Sequence, residues 1–443
     1  MADDFRKQIA QALNGAAGSP FALREVSPAQ LEAYFDVSGL ATAALGAAAA
    51  ELGALLNARD VTLDHRRALM WFDMTLRPRG WALPSLWDKV AGNYQAADGW
   101  IRLHTNAPHH LKAALSVLGC AGERADVAAA VRGWGKTALE AAVVSAGGCA
   151  AEMRSMGDWA QHVQGRAVAQ EPLIAWEDTG AEAAPAALEG LHVLDLTRVL
   201  AGPVATRFLA GFGAQVLRID PPSWDEPGVV PEVTLGKRCA GLDLKTQADR
   251  KVFEALLSKA DVLVHGYRPG ALSGLGYDTQ ALKRLAPGLA PVTLNAYGWT
   301  GPWAARRGFD SLVQMSSGIA EAGMRLSQAD KPVPLPVQAL DHATGYLMAA
   351  AVLRALNIRN QTGKIMSARL SLARVAALLT SGGAGLRMAA GQGEDEADLA
   401  QAVEATSWGP ARRIAFPVLL NGQPPRWLQP AGALRRDRAE WVG

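Results

Sequence analysis

The feature that most constrains this chain is an alternation of short apolar runs with amphipathic segments across residues 191–295. The apolar runs have the length of buried strands, and the segments between them have the spacing of helices. The predicted strands are 191–196, 216–219, 262–265 and 292–295, and the predicted helices start at Pro203 and cover 246–260 and 279–286. This alternation predicts an α/β fold built on a doubly wound, mostly parallel sheet.

Loops that follow the strands of such a sheet are where function is expected. Ligands bind beyond the carboxyl ends of the strands, where the chain leaves the sheet. The candidate binding loops are therefore 197–203, 220–238 and 265–270.

Residues 1–178 have another pattern and predict a smaller mixed, mostly helical domain. Its helical segments are 28–56, 110–118 and 122–146, and its one strand-like run is 100–103. Residues 179–188 are small or acidic and lack apolar periodicity, which is typical of a linker. The sheet domain then covers 189–443 and ends in an extended, proline-rich tail.

The charge balance and the cysteines exclude several classes of protein. The chain has 44 basic and 42 acidic residues among 443, a net charge of +2, so it has no large field for nucleic acid or an anionic membrane. Its three cysteines, Cys120, Cys149 and Cys239, are far apart, which argues against a disulfide framework and favours a reducing compartment. The N-terminus has two acids and no apolar segment behind them, so we expect a cytoplasmic protein.

Several common catalytic motifs are incomplete in this chain. Gly135-Lys136-Thr137 lacks the earlier glycine of a phosphate-binding loop, since Ala130 stands there, and 197–203 lacks the glycine pattern of a dinucleotide fold. The chain contains no GxSxG nucleophile elbow. His104, His109 and His110 have no carboxylate or cysteine at ligand spacing, so we expect no metal site.

A series of motifs in the second half resembles the class III (CaiB/BaiF-type) coenzyme A transferases. It begins with Leu188 to Pro203, which includes Asp195-Leu196-Thr197-Arg198-Val199-Leu200-Ala201-Gly202-Pro203, and continues in the family's order to about residue 375. The further elements are Gly213-Ala214-Gln215-Val216, Gly236-Lys237-Arg238, Arg268-Pro269-Gly270, Tyr297-Gly298-Trp299-Thr300-Gly301-Pro302, and Asp341 with Thr344-Gly345. Several motifs in order are more specific than any one of them.

The resemblance implies a Rossmann-like CoA-binding domain and a transfer of CoA between an acyl-CoA and a small carboxylic acid. By motif position, Asp341 is the aspartate that forms the covalent adducts. A carboxylate can attack a thioester without a separate base, and no metal or redox cofactor is needed. On local sequence Asp341 also reads as a helix N-cap, a position that favours its ionised form.

The resemblance also implies contacts to CoA and a homodimer. The CoA phosphates need cations and backbone amides near sheet loops, and Arg198, Lys237, Arg238 and Arg268 fall in such loops. The backbone of Leu200, Ala201 and Gly202 resembles the family stretch that lies along CoA.

Three departures keep other functions open. Pro221 stands where many relatives have an arginine, and 97–103 and 153–159 resemble the family's small domain, which here precedes the sheet domain. These two departures leave an inactive CoA-binding protein as one alternative. A 2-methylacyl-CoA racemase or epimerase is the other, although Phe309 stands where that branch has a histidine base. His342 or His265 could supply such a base, but neither matches the position.

Overall fold

The computed structural model describes residues 2–15, 21–389 and 393–442. Its helices are α1 (Ala2–Asn14), α2 (Val37–Leu55), α3 (His65–Met70), α4 (Pro108–Leu118), α5 (Arg124–Arg132), α6 (Lys136–Ser145), α7 (Met156–Gln161), α8 (Val163–Gln170), α9 (Ala201–Gly211), α10 (Val230–Val233), α11 (Gln247–Leu257), α12 (Thr279–Leu285), α13 (Asp310–Ser316), α14 (Ile319–Ser327), α15 (Ala339–Thr362) and α16 (Leu372–Ser381).

The strands divide among one large sheet and three small ones. They are β1 (Arg24–Val26), β2 (Val61–Asp64), β3 (Leu76–Pro78), β4 (Gly92–Ala96), β5 (Gly99–Leu103), β6 (Ala150–Glu152), β7 (Ala175–Glu182), β8 (His192–Leu196), β9 (Gln215–Asp220), β10 (Lys237–Gly241), β11 (Val262–His265), β12 (Ala290–Asn295), β13 (Lys364–Ser371), β14 (Glu404–Thr406), β15 (Gly409–Arg413) and β16 (Val418–Leu420).

The large sheet has seven strands in the order β10-β9-β8-β11-β12-β13-β7. Neighbours from β10 to β13 are parallel, and β7 pairs antiparallel with β13 at one edge. The prediction of a mixed α/β fold around a large, mostly parallel sheet is confirmed. The predicted strand at 262–265 coincides with β11, and the other three predicted strands coincide with β8, β9 and β12 within two residues.

Successive residues of the parallel strands enter different apolar cores. Val193, Val216 and Val262 belong to one core, which α2, α9 and α15 share. Leu194, Leu217 and Leu263 belong to a second core, which α11 and α12 share. Because side chains alternate along a strand, both faces of the sheet are covered by helices.

Helix α15 lies at the centre of the larger core. It packs against α2 and α9, and most of its residues are buried. A β-carbon on Gly345 would lie 2.4 Å from the carbonyl oxygen of Ala201, so only glycine permits this close crossing of α15 and α9. The crossing brings Ala201, the first residue of α9, against the second turn of α15.

Helix α2 is long and apolar enough, by length and composition, to cross a membrane. Its most apolar window is 89% buried inside the protein. The helix is therefore used as a core element, as the alanine-rich sequence at 40–56 predicts.

A smaller layer precedes the large sheet in the chain. Strands β4, β5 and β6 form an antiparallel sheet, and α4, α5 and α6 pack around it. This layer has its own apolar core, with Ile101, Val127 and Leu139 fully buried. The sequence prediction of a strand at 100–103 among helices is confirmed by β5 and its neighbours.

The domain boundaries differ from the sequence prediction. Four residues of the predicted linker, 179–182, belong to β7, which pairs with β13 as the edge of the large sheet. The N-terminal 178 residues are not a separate unit either, because α2 and α15 pack in one core. The acidic, half-exposed pattern of β7 is that of an edge strand and resembles a linker in sequence.

The C-terminal segment returns to the N-terminal segment. Strand β2 lies between β1 and β16, and β3 pairs with β15. Arg413, on β15, forms a buried ion pair with Glu232 of α10 at 3.0 Å. Beyond β16, Trp427 stacks on Trp71, and Trp441 stacks on His192. The C-terminal segment thus contacts both the N-terminal part of the chain, at Trp71, and the start of β8 in the large sheet, at His192.

Candidate active site

Asp341 is the third residue of α15, and its side chain is only 7% exposed. The helix begins after Gln338, whose side chain makes no capping hydrogen bond. The sequence interpretation of Asp341 as the N-cap is therefore wrong. The capping group comes from another part of the chain, which local sequence cannot reveal.

That capping group is the carboxylate of Asp310, the first residue of α13. Its Oδ2 accepts hydrogen bonds from the backbone N–H groups of Leu340 at 2.9 Å and Asp341 at 3.0 Å. Its Oδ1 accepts one from the side-chain amide of Gln314. The Gln314 carbonyl oxygen in turn accepts the backbone N–H of Leu335 at 2.8 Å. Asp310 therefore fixes the backbone that carries Asp341.

Burial changes the acidity of both carboxyl groups. Burial, and then the charge of Asp310, raise the pKa of Asp341 well above its ordinary value. Burial raises the pKa of Asp310 to about 6, although hydrogen bonds from Gln314 and the α15 backbone oppose the rise. The expectation that the helix N-terminus favours the ionised form of Asp341 is corrected. Two N–H groups of this helix N-terminus, those of Leu340 and Asp341, are bonded to Asp310 instead.

A cavity of 210 Å³ opens beside Asp341 at the carboxyl ends of the strands, and we call it the basic cavity. Residues that follow β8, β11 and β12 line it, as the fold predicts. Its lining arginines are Arg198, Arg268, Arg306 and Arg307, and its lining aromatic residues are His110, Trp224, Tyr267 and Phe309. The guanidinium of Arg306 is already bonded to Glu140 at 2.9 Å. Among the predicted CoA contacts, Arg198 and Arg268 therefore lie in the same cavity as Asp341.

Arg198 and Arg268 occupy different parts of this cavity. The Arg198 guanidinium lies over the rings of Trp224 at 4.6 Å and Tyr267 at 5.4 Å. Arg268 is exposed and also lines an adjoining cavity of 290 Å³, together with Lys283 and Arg369. Tyr267 and Arg268 line both cavities, so the two form one extended basic groove.

Lys237 does not face this groove. It is the first residue of β10, in a stretch predicted to be a loop, and it is fully buried. Its Nζ donates to Asp195 at 3.0 Å and to the Pro203 carbonyl oxygen at 2.9 Å. Burial and these bonds commit the charge of Lys237 to linking β10 with β8, across β9, and with the first turn of α9, which argues against a contact with CoA.

Arg238 is bound by the C-terminal segment. Its guanidinium donates to the backbone carbonyl oxygens of Glu440 and Arg438. It does not line the cavity that contains Asp341, among the lining residues that the structure describes. The structure therefore brings two of the four predicted cations to the site and leaves Lys237 and Arg238 outside it.

The predicted backbone contacts Leu200, Ala201 and Gly202 lie at the start of α9. Leu200 is the N-cap, and no side chain caps this helix. Ala201 and Gly202 line the basic cavity with Asp341. A β-carbon on Gly202 would lie 2.3 Å from the side chain of Thr197, so the turn requires glycine. Uncapped N–H groups at a helix N-terminus favour a negatively charged ligand.

A second space opens on another side of Asp341, and we call it the apolar chamber. Its inner part, of 60 Å³, touches Asp341, and an outer part of 240 Å³ continues from it. The two parts share seven lining residues: Leu86, Trp87, His104, Asn106, Val199, Val229 and Phe309. This chamber has no signature in the sequence, because these seven residues come from five separate segments of the chain.

Val199 lies where the two spaces meet, since it lines the basic cavity and both parts of the chamber. Its φ of 64° is in the left-handed region, which a β-branched residue rarely adopts. Its backbone N–H donates to Glu226 Oε2 at 2.8 Å, and Glu226 is held by Arg218 at 2.5 Å. Strain held in this way is typical of a functional position.

His104 enters the site from the small sheet. It is 5% exposed, and its ring stacks on Phe309 with the ring centroids 3.6 Å apart. Burial lowers the pKa of His104 well below its ordinary value, so the ring is neutral near pH 7. In residues 2–15, 21–389 and 393–442, no three histidine, cysteine or acidic residues form a group that could hold a metal ion.

The second half of this chain is similar to proteins of a known family. Residues 188–408 match the family described as CoA-transferase family III. A probable fatty acyl-CoA transferase of Mycobacterium tuberculosis is 34% identical over 190 residues, which are 40% of this chain and 48% of that protein. Succinyl-CoA:glutarate CoA-transferase of Mus musculus is 33% identical over 190 residues, 40% of this chain and 43% of that protein. Residues 188–408 thus belong to the class III CoA-transferase family.

The chain spans half or less of the length of these curated relatives. An acetyl-coenzyme A transferase of Hypoxylon pulicicidum is 36% identical over 181 residues, 40% of this chain and 30% of that protein. A crystal structure of the Mycobacterium tuberculosis protein is 33% identical, with a TM-score of 0.40, and covers 45% of this chain and 57% of that chain. The match to the family model begins at residue 188, where the motifs that resemble the family also begin.

Proposed function

We propose that this chain is an acyl-CoA:carboxylate CoA-transferase that works through a covalent adduct on Asp341. The observation that carries the proposal is the position of Asp341 between the basic cavity and the apolar chamber. An acyl-CoA is polyanionic at one end and has its thioester at the other. A nucleophile that acts on it belongs at such a boundary.

The strand order supports the placement of CoA. We interpret the order β10-β9-β8-β11-β12-β13 as a doubly wound, Rossmann-like arrangement, in which the direction of winding reverses between β8 and β11. Arg198 follows β8, and Tyr267 and Arg268 follow β11. The CoA phosphates would lie against Arg198 and Arg268, because guanidinium groups bind phosphate oxygens strongly.

The reaction uses the Asp341 carboxylate as its nucleophile. The carboxylate attacks the thioester carbonyl, and the C–S bond breaks. CoA departs as its thiolate, and the acyl group remains on Asp341 as a mixed anhydride. The thiolate attacks the aspartyl carbonyl, which expels the first acid and forms an aspartyl-CoA thioester. The second acid attacks this thioester, which releases CoA thiolate and forms a second mixed anhydride. The thiolate then attacks the acyl carbonyl of that anhydride, which gives the new acyl-CoA and restores the Asp341 carboxylate.

Two features favour these steps. A buried carboxylate whose pKa is raised is a stronger nucleophile once it is ionised than one in water. The first turn of α9, which no side chain caps, lines the cavity that contains Asp341. Donors placed there can stabilise the oxyanion that forms at each attack.

The test is trapping of the adduct on Asp341. The protein is incubated with acyl-CoA donors and hydroxylamine, and the modified peptide is mapped by mass spectrometry. We expect a hydroxamate at Asp341 and a loss of transfer in Asp341→Ala. The matched control is Asp36→Asn, since Asp36 caps α2 through the Gly39 N–H and asparagine can cap equally well. Transfer at the normal rate by Asp341→Ala would overturn the proposal.

A racemase is the second candidate. His104 stacks on Phe309, which stands where the racemase branch has its histidine base, so an imidazole lies next to that position. Removal and return of a proton at the carbon next to the thioester needs one base on each face. His104 and Asp341 both line the inner chamber, so they could act from two sides.

Deuterium incorporation separates the two candidates. In deuterium oxide a racemase exchanges the proton at that carbon without moving CoA, and His104→Asn would abolish the exchange. A transferase moves CoA to an added acid and incorporates no deuterium. Binding of CoA with neither reaction would indicate an inactive CoA-binding protein.

A further inference from the structure

The apolar chamber limits the kind of acyl group that Asp341 can accept. Five of its seven shared lining residues are the side chains of Leu86, Trp87, Val199, Val229 and Phe309. Asn106, the sixth, uses its amide to donate to the Leu86 carbonyl oxygen at 2.7 Å. The walls near Asp341 therefore offer mainly apolar surface.

The charged groups of the chamber all have one sign. Its acidic lining residues are Asp73, Asp88, Asp225, Glu226, Asp310 and Asp341. Among the described residues that line its two parts, none is lysine or arginine. His104 is the one imidazole that both parts share, and burial keeps it neutral.

Two guanidinium groups beside the chamber lie against aromatic rings, and a third, that of Arg218, is bonded to Glu226 of the chamber wall at 2.5 Å. Arg102 lies 4.8 Å from the centre of the Trp87 ring and does not line the chamber. Arg198 lies 4.6 Å from the centre of the Trp224 ring and lines the basic cavity instead. A group inside the chamber therefore contacts no lining guanidinium, and these neighbouring guanidinium groups are already engaged by aromatic rings or by a carboxylate.

We propose that the chamber selects acyl groups without a second carboxylate, namely short branched or aromatic monocarboxylic acyl groups. The inference rests on the transferase function proposed above. A second carboxylate here would be desolvated beside like charges and would have no cation to pair with, which is costly. An isopropyl or phenyl group of similar volume would instead gain contact with the apolar walls.

His104 supports this assignment. Its Nδ1 is buried without a hydrogen-bond partner, and buried polar atoms normally have one. A neutral ring can pair with a neutral polar atom of an acyl group. It does not supply the positive charge that a carboxylate would need.

The first experiment compares two donors that differ only in that charge. Isocaproyl-CoA has an isopropyl group where succinyl-CoA has its distal carboxylate. We expect transfer from isocaproyl-CoA with a kcat/KM at least about 100-fold higher, which corresponds to a cost of about 2.8 kcal/mol, or two tenfold steps, for one desolvated, unpaired charge. Equal or better use of succinyl-CoA would overturn the inference.

Binding without turnover separates this inference from the proposed function. S-isopentyl-CoA and S-(carboxyethyl)-CoA are thioethers of matching shape that cannot be cleaved. We expect the uncharged thioether to bind at least about tenfold more tightly. A preference for it without any transfer would sink the transferase proposal and keep the chamber assignment. Equal binding would sink the chamber assignment even in an active transferase.

A cation placed in the wall should reverse the selection. Leu86→Arg would supply a partner for a distal carboxylate, and Leu86→Met is the matched neutral control. We expect Leu86→Arg to raise the ratio of succinyl-CoA to isocaproyl-CoA use at least tenfold relative to Leu86→Met. An unchanged ratio in a folded variant would contradict the assignment.

Discussion

The carboxylate of Asp310 accepts a hydrogen bond from the backbone N–H of Asp341 at 3.0 Å. The same oxygen accepts the N–H of Leu340 at 2.9 Å, so one carboxylate both caps α15 and lies beside the candidate nucleophile. Both acids are buried and raise each other's cost of ionisation. Protons therefore leave the pair in two coupled steps.

Asp310→Asn should shift the acid limb of the transfer reaction to lower pH. Transfer needs ionised Asp341, and the charge of Asp310 contributes to its raised pKa. Removing that charge lowers the pKa of Asp341, and asparagine can still accept the α15 N–H bonds. We expect a shift of about one pH unit, equivalent to about 1.4 kcal/mol. The measurement is kcat/KM against pH, and an unmoved acid limb would refute the coupling.

Asp341→Asn should make the protein more stable at neutral pH. Because the folded-state pKa of Asp341 is raised, its ionisation costs stability as pH rises through that pKa. Asparagine is never ionised, so the gain appears above the folded pKa and vanishes below the unfolded value near about 4. We expect about 0.5–2 kcal/mol, the common size of a stabilising change. Chemical denaturation at both ends of this range measures it, and a gain that does not depend on pH would argue against this origin.

Lys237→Met should weaken folding, because it leaves buried Asp195 without its ion-pair partner. Breaking such a pair costs about 3–5 kcal/mol. The measurement is the free energy of unfolding at neutral pH. A stable variant that has lost only CoA affinity would restore the sequence interpretation of Lys237 as a CoA contact.

Arg268→Ala should weaken CoA binding and leave the free energy of unfolding almost unchanged, the opposite of the effect expected for Lys237→Met. The Arg268 side chain is exposed and lines both the basic cavity and the adjoining cavity of 290 Å³. We expect stability to change by less than about 0.5 kcal/mol. KM for acyl-CoA should rise roughly tenfold, since one charge-assisted hydrogen bond is worth about 1.5–3 kcal/mol. A KM equal to that of the unmodified protein would exclude Arg268 from CoA binding.

Val199→Gly should separate stability from activity. Glycine adopts the φ of 64° without strain, which removes about 1–3 kcal/mol of cost and offsets the greater freedom of the unfolded chain. It also removes the side chain between the basic cavity and the chamber, so we expect kcat/KM to fall about tenfold. Val199→Ile keeps both strain and wall and is the control. Full activity in Val199→Gly would show that the wall has no function.

The sequence predicted those features that depend on local periodicity or on an ordered set of motifs. Strand β11 has the predicted bounds, and Asp341 lies beside the loops expected to bind ligand. Strand β10 was missed because its first residue is a lysine, and a lysine is buried only when a distant acid pairs with it. Asp195, its partner, lies 42 residues earlier.

The chamber was beyond sequence reasoning for a related reason. Trp87, His104, Val229 and Phe309 meet only after the small sheet packs against the large one. His104 was considered as a metal ligand, and its stacking on Phe309 has no signature in sequence. Asp310 directly follows Phe309 in the sequence, and its hydrogen bond to the Asp341 N–H spans 31 residues of chain.

The ion pair between Glu232 and Arg413 sets an order of events during synthesis. Arg413 leaves the ribosome 181 residues after Glu232, and β16, which completes the sheet around β2, follows it. A nascent chain that already has Asp341, Arg198 and Arg268 also has Thr75 and Arg207 to bind Glu232 of α10, but it still lacks Arg413. The contacts of α10, which follows Val229 of the chamber wall, are therefore completed only after Asp341 and the proposed CoA groove have been translated.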